Sequence, residues 1–144
     1  METLQTLTFF TPEVFENSGA PFVDIGISAG FPSPAEDFIQ ERISLDKALI
    51  KNQEATFFAR VSGQSMIDAG INDKDLLVID RSITPENNKI AVCFIDGEFT
   101  VKRLRVDGTK VWLKPENPNY PIIHITEEND FMIWGIVTNV IKKV

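Results

Sequence analysis

The chain has one cysteine, one histidine and one tyrosine among its 144 residues. A lone cysteine, Cys93, excludes an intrachain disulfide and the multi-cysteine zinc patterns. A lone histidine, His124, excludes a multi-histidine metal centre, so no metal or cofactor is expected. Such usage fits a reducing cytoplasm. Long hydrophobic runs are missing too. No window reaches the roughly 20 unbroken apolar residues of a membrane-spanning helix, so no membrane association is expected. Positive charge is scarce, with 14 Lys and Arg against 21 Asp and Glu and a net charge of −7. A surface of that sign repels phosphate backbones, which argues against tight direct binding of DNA. The first basic residue is Arg42. A stretch without positive charge is no secretory signal, and residues 1–29 are too short for a helix-turn-helix.

What is present suits one soluble globular domain: 43% hydrophobic and 24% charged residues. Residues 1–29 carry Glu2, Glu13, Glu16 and Asp24, and place Phe9, Phe10, Phe15 and Phe22 among small and turn-forming residues. They read as an arm that packs on something, with a first edge strand of the core as the alternative. Val23, Ile25, Ile27 and Ala29 alternate with Asp24, Gly26 and Ser28, the period of an extended segment with one buried face. Ser33 and Glu36 form a capping box with Pro34 at the first helical position, so a helix is predicted there, with Phe38, Ile39 and Ile43 on its apolar face. A second short helix is predicted over 44–50.

From Ala55 onward the pattern is sheet. Strands are predicted at 55–61, 76–79, 90–95, 99–106, 111–113, 122–125 and 131–141. The sheet is therefore expected to begin near Ala55. Asp96-Gly97 and Asp107-Gly108 are hairpin signals that make 90–113 a meander. Residues 114–121 hold three prolines and read as a loop. The long apolar strand 131–141 suggests a sheet edge needing cover, such as a second subunit would supply. The fold class is mainly β, an antiparallel sheet with short helices and an extended N-terminal arm.

Ser65 follows a predicted strand end and a glycine, in Ser62-Gly63-Gln64-Ser65-Met66-Ile67-Asp68-Ala69-Gly70. Met66–Ala69 suit a single helical turn stopped by Gly70. Backbone N–H groups at such a turn are the donors an oxyanion hole requires, although a serine there is most often only a cap. A base must deprotonate it. His124 lies in the apolar run 122–125 and reads as a structural strand residue. A neutral lysine can serve instead. On strand alternation Lys102 shares a face with Leu104 and Val106, opposite Arg103 and Arg105, and its strand neighbours would best keep water off it. Asp68, Asp73, Asp75 and Asp80 lack calcium-loop spacing and read as solvated turn residues. Cys93 reads as core, Trp112 and Trp134 as core or interface.

The segments Val61–Ile71, Asp75–Asp80 and Asp96–Lys102 together resemble the LexA/UmuD family of self-cleaving Ser-Lys peptidases, and Gly30-Phe31-Pro32-Ser33-Pro34-Ala35 resembles its UmuD branch just after the cleavage site. The likeness runs from about Ala29 to Val144. It implies Ser65 as nucleophile, Lys102 as general base and Ala29–Gly30 as the scissile bond. It further implies an arm, 1–29, removed by self-cleavage from a peptidase-type β domain, 30–144. By the same resemblance the protein is a cytoplasmic bacterial homodimer. It responds to the RecA–single-stranded-DNA filament in the SOS response. Once cleaved, it serves an error-prone Y-family DNA polymerase subunit of the UmuC type. Two other classes fit parts of the sequence. One is a non-enzymatic dimeric polymerase-binding module, which could lose Ser65 or Lys102 freely. The other is a Ser-Lys signal-peptidase-like hydrolase, which is expected to carry a membrane anchor.

Overall fold

The computed structural model describes residues 6–13, 20–23 and 39–144. The chain divides into two compact units, 1–12 with 52–144, and 13–51.

The larger unit is an eight-stranded antiparallel sheet. Its strands are β1 (Thr6–Phe10), β4 (Thr56–Ser62), β5 (Leu76–Asp80), β6 (Ile90–Ile95), β7 (Glu98–Asp107), β8 (Lys110–Lys114), β9 (Ile123–His124) and β10 (Phe131–Ile141). The spatial order is β1-β4-β5-β10-β6-β7-β8-β9. The mainly β fold expected from the alternating runs is therefore observed, and the seven predicted strands are all present within a residue or two.

Three expectations about the strands of this sheet need correction. The sheet does not begin near Ala55, because β1 pairs with β4 from Thr6↔Ser62 to Phe10↔Phe58. Residues 6–10 thus form the edge strand that was the alternative to a simple arm. Alternation explains it: Leu7 and Phe9 are half-buried against the core while Thr8 and Phe10 are exposed. Nor is 131–141 a sheet edge. Its first half pairs with β6 through Phe131↔Ile95 to Ile136↔Ala91, and its second half pairs with β5 through Ile136↔Asp80 to Ile141↔Leu76. The strand is long because it passes from one partner to the next. The register slips between Ile133 and Gly135, and a Cβ on Gly135 would lie 2.6 Å from Ile79 Cγ2. Only glycine fits that close approach. The second hairpin turn is also displaced by one residue. Asp107 pairs with Lys110, so the loop is Gly108-Thr109, with Gly108 at φ 59°. The first turn is Asp96-Gly97 as expected, both residues having positive φ.

Two apolar clusters lie within this unit. Ala59, Val61, Met66, Ile71, Leu77, Ile79, Val92 and Val101 form one; Ala91, Cys93, Leu104, Leu113 and Ile136 form the other. On β6, Val92 joins the first and its neighbours Ala91 and Cys93 the second, as strand alternation requires.

The smaller unit pairs β2 (Ala20–Val23) with β3 (Ile39–Ile43), and α1 (Leu45–Leu49) follows. Ser44 caps α1, its side chain accepting from Lys47 N at 3.4 Å. The short helix predicted over 44–50 is therefore present. The helical face predicted for Ile39 and Ile43 is not, since both lie in β3, where β-branched residues are favoured and β2 supplies a partner. The capping box Ser33–Glu36 and the alternating segment beyond Val23, including Ala29 and Gly30, lie outside the described residues.

Candidate active site

β4 ends at Ser62, and Gly63 turns the chain at φ 114°, a conformation that suits only glycine. A 3-10 turn spans Ile67–Ala69, and Gly70 stops it in the left-handed region at φ 79°. The Gly70 and Ile71 N–H groups donate back to the Ile67 and Met66 carbonyls at 3.0 and 3.2 Å. The single helical turn expected from the sequence is thus formed. It holds Ser65 and Met66 almost wholly out of water, at 1% and 0% exposure.

β7 brings Lys102 to the same place. The residue is 4% exposed, and its Nζ lies 3.1 Å from Ser65 Oγ. It is also 2.7 Å from Thr100 Oγ1 and 3.2 Å from the Val101 carbonyl. With an ammonium, Lys102 donates to the hydroxyl. With a neutral amine, the same distance lets Ser65 Oγ–H donate to Nζ. A hydroxyl and an amine within 3.2 Å have the reach that nucleophile and general base need. The loop 115–120 clamps the serine turn. Asn117, 6% exposed, donates Nδ2 to the Gln64 carbonyl at 2.8 Å. The Glu116 carbonyl accepts from Asp68 N at 2.8 Å, and Glu116 N donates to Met66 Sδ at 3.3 Å. Arg103, beside Lys102, pairs with the Glu116 carboxylate at 2.6 Å and so ties that loop to β7.

Sequence reasoning missed Thr100, Glu116 and Asn117. Thr100 had a signal: it precedes Lys102 by two positions and therefore shares its strand face. Asn117 had none, since a proline-rich loop reads only as a connection. Beside the turn, a cavity of about 300 Å³ is lined by Ser62, Gly63, Gln64, Asp73 and Tyr120.

The other candidates fall elsewhere. His124 lies on β9 and stacks on Trp112 at 5.2 Å and 20°, a structural contact. Trp134 packs in an aromatic cluster with Phe9, Phe57 and Phe99, under the Arg81 guanidinium. The aspartates are not all solvated turn residues. Asp75 and Asp80 are 7% and 6% exposed, because each binds backbone N–H groups of its own turn. Asp75 accepts from Asn72 N and pairs with Lys142, while Asp80 accepts from Ser82 N and Oγ. Asp73 accepts from Gly63 N at 3.0 Å and so steadies the glycine before the serine turn. Cys93 is wholly buried, and burial pushes its thiol up to about 12, with the Lys102 charge pulling the other way. A thiol so shifted is no nucleophile. Among the described residues no helix is long and apolar enough to cross a membrane.

The Peptidase S24-like family matches residues 21–138. Protein MucA of Salmonella typhimurium is 42% identical over 134 residues, covering 88% of this chain and 91% of its own. Protein ImpA of Shigella flexneri is 43% identical over 115 residues, 80% of this chain and 78% of its own. A LexA repressor of Acidithiobacillus ferrooxidans is 37% identical over 130 residues, 88% of this chain and 62% of its own. On the extent of that family match and of the MucA likeness, the chain belongs to the S24 peptidases, the LexA/UmuD family.

Proposed function

We propose that the chain is a self-cleaving serine peptidase that cuts its own, or its dimer partner's, Ala29–Gly30 bond. The observation that carries this is the buried 3.1 Å approach of Lys102 Nζ to Ser65 Oγ within an S24 domain. Neutral Lys102 takes the Ser65 proton as Oγ attacks the Ala29 carbonyl. The Ser65–Ala29 tetrahedral adduct collapses, Lys102 returns the proton to the Gly30 nitrogen, and the Ala29–Gly30 bond breaks. Water then attacks the Ala29 ester, giving its proton to Lys102, and Ser65 is regenerated. The Ser65 N–H is the oxyanion donor, together with that of Gln64. In a trans peptide the carbonyl and the N–H point to opposite sides. Asn117 Nδ2 and Ile67 N both hold the Gln64 carbonyl, which turns the Ser65 N–H the other way.

An ordinary lysine is almost entirely protonated at neutral pH, so cleavage needs water kept from Lys102. Docking of the scissile segment over the site excludes more water, and without that docking the protein stays intact until a stimulus favours it. The stimulus we propose is the RecA–single-stranded-DNA filament, a reading supported by the family resemblance. The same resemblance supports our reading of the cleaved protein as a cytoplasmic homodimer that acts as accessory to a UmuC-like Y-family error-prone polymerase in SOS mutagenesis. The test is mass spectrometry of the purified protein after incubation with RecA, ATP and single-stranded DNA. Fragments 1–29 and 30–144 are expected, and none from Ser65→Ala. A product beginning elsewhere than Gly30-Phe31-Pro32 would move the bond.

A further inference from the structure

β1 lies on the N-terminal side of the scissile bond proposed above, yet it is the outer strand of the main sheet. Its five residues pair with β4, and its Phe9 ring packs on Phe99 at 5.1 Å and on Trp134 at 4.8 Å. β4 has β1 on one side and β5 on the other. Removal of β1 therefore turns β4 into an edge, with a row of unmet N–H and C=O groups beside two uncovered aromatic rings. Such an edge is a template for another extended chain.

We propose that the β4 edge is a strand-acceptor site, opened by cleavage and then filled by an extended segment of a partner protein. That the opening comes from self-cleavage rests on the function proposed above; the acceptor edge itself does not. β1 shows what chemistry fits. It is uncharged, alternates Leu7 and Phe9 inward with Thr8 and Phe10 outward, and puts an aromatic ring over Phe99 and Trp134. Thr8 sits opposite Arg60 of β4, so a partner residue in that place is neutral or acidic, not basic. The occupant is thus an extended peptide with apolar, neutral-or-acidic and aromatic residues in the places of Leu7, Thr8 and Phe9.

The tether explains why cleavage matters. Within one chain β1 meets β4 at an effective concentration of the order of millimolar. Once the chain is cut, β1 keeps only its own pairing with β4 and the pairing of β2 with β3, and when those open its concentration falls to that of the protein itself. A five-residue strand with two half-buried side chains among those described, Leu7 and Phe9, holds in the first regime and leaves in the second.

The experiment opens the chain without its own chemistry. A recognition sequence for an added protease is inserted between Pro12 and Glu13 of the full chain carrying Ser65→Ala. A labelled peptide of residues 5–11 is then titrated by fluorescence anisotropy against cut and uncut protein. The peptide is expected to bind the cut form saturably and at least about tenfold more tightly than the uncut form. A Thr8→Glu peptide should bind as well or better, and Thr8→Lys and Phe9→Ser peptides at least about tenfold more weakly. Equal binding to cut and uncut protein, or binding indifferent to Phe9, would overturn the proposal. So would loss of cooperative unfolding on cutting, which would make β1 a fixed part of the fold. Failure to cleave with RecA would leave all of these outcomes untouched.

Discussion

β7 and β1 belong to the same sheet and are held in opposite ways. β7 has ten residues, pairs with β6 and β8, and buries Val101, Lys102 and Leu104 to 4% exposure or less. β1 has five residues, pairs with β4 alone and buries nothing fully among its described side chains. Reaction geometry must hold to a fraction of an ångström, and only a strand packed on both sides can hold it. A segment that leaves after cleavage, as proposed for β1, must cost little to lose. The division of labour follows from where each strand sits in the sheet.

The sharpest way to break the comparison is at the dyad itself, where chemistry should vanish and the fold should stay. Ser65→Ala and Lys102→Ala should each abolish self-cleavage. Lys102→Arg should too, because a guanidinium keeps its proton. His124→Ala should cleave at nearly the parental rate, since that ring stacks on Trp112. Cleavage without any stimulus should accelerate from pH 7 toward pH 10 as the amine loses its proton. A flat profile with chemistry rate-limiting would remove lysine as the base.

Next in size is the clamp on the turn. Asn117→Ala should slow cleavage by about 10- to 100-fold, somewhat less than the loss of an oxyanion donor itself. The slope of the pH profile should not change, because Lys102 is untouched. A changed slope would mean that Asn117 acts through the base. This effect illustrates how legible the site was. Ser65 and Lys102 stand out because a turn glycine, a helix stop and strand alternation are local signals. Asn117 reaches Gln64 across 53 positions of chain, and nothing local marks that pairing. The same limit explains the misread elements. Residues 131–141 show a strand's composition, but whether its neighbours lie on one side or both is decided by β5 and β6 far away. Ile39 and Ile43 suit a helical face and an alternating strand equally, and β2 decides between them.

Stability should separate the two strands more gently. Leu104→Ala on β7 removes a fully buried side chain and should cost about 2–5 kcal/mol. Phe9→Ala on β1 removes a half-buried ring at an edge and should cost about 1–2 kcal/mol. Urea unfolding of both variants gives the ratio. Equal costs would mean that β1 is as integral as β7 and would count against its release.

The smallest effect is on Cys93, which faces Thr100 of β7 across the β6–β7 pairing. Its thiol ionises at about 12 in the folded protein, against 9.0 for an unperturbed one, mainly because burial penalises the thiolate. Below pH 9 both states keep the proton and the thiol adds no pH dependence. Above it the unfolded chain ionises first, so unfolding gains and stability falls as pH rises from 9 toward 12. The Lys102 charge works against burial, so Lys102→Met should move the thiol further up. Thiolate absorbance through a pH titration reads both. Native Cys93 should also resist alkylation at pH 8 and react once urea opens the sheet. A thiolate appearing in the folded protein below pH 10 would mean that water reaches β6 beside the dyad. The exclusion of water that distinguishes β7 from β1 would then be lost.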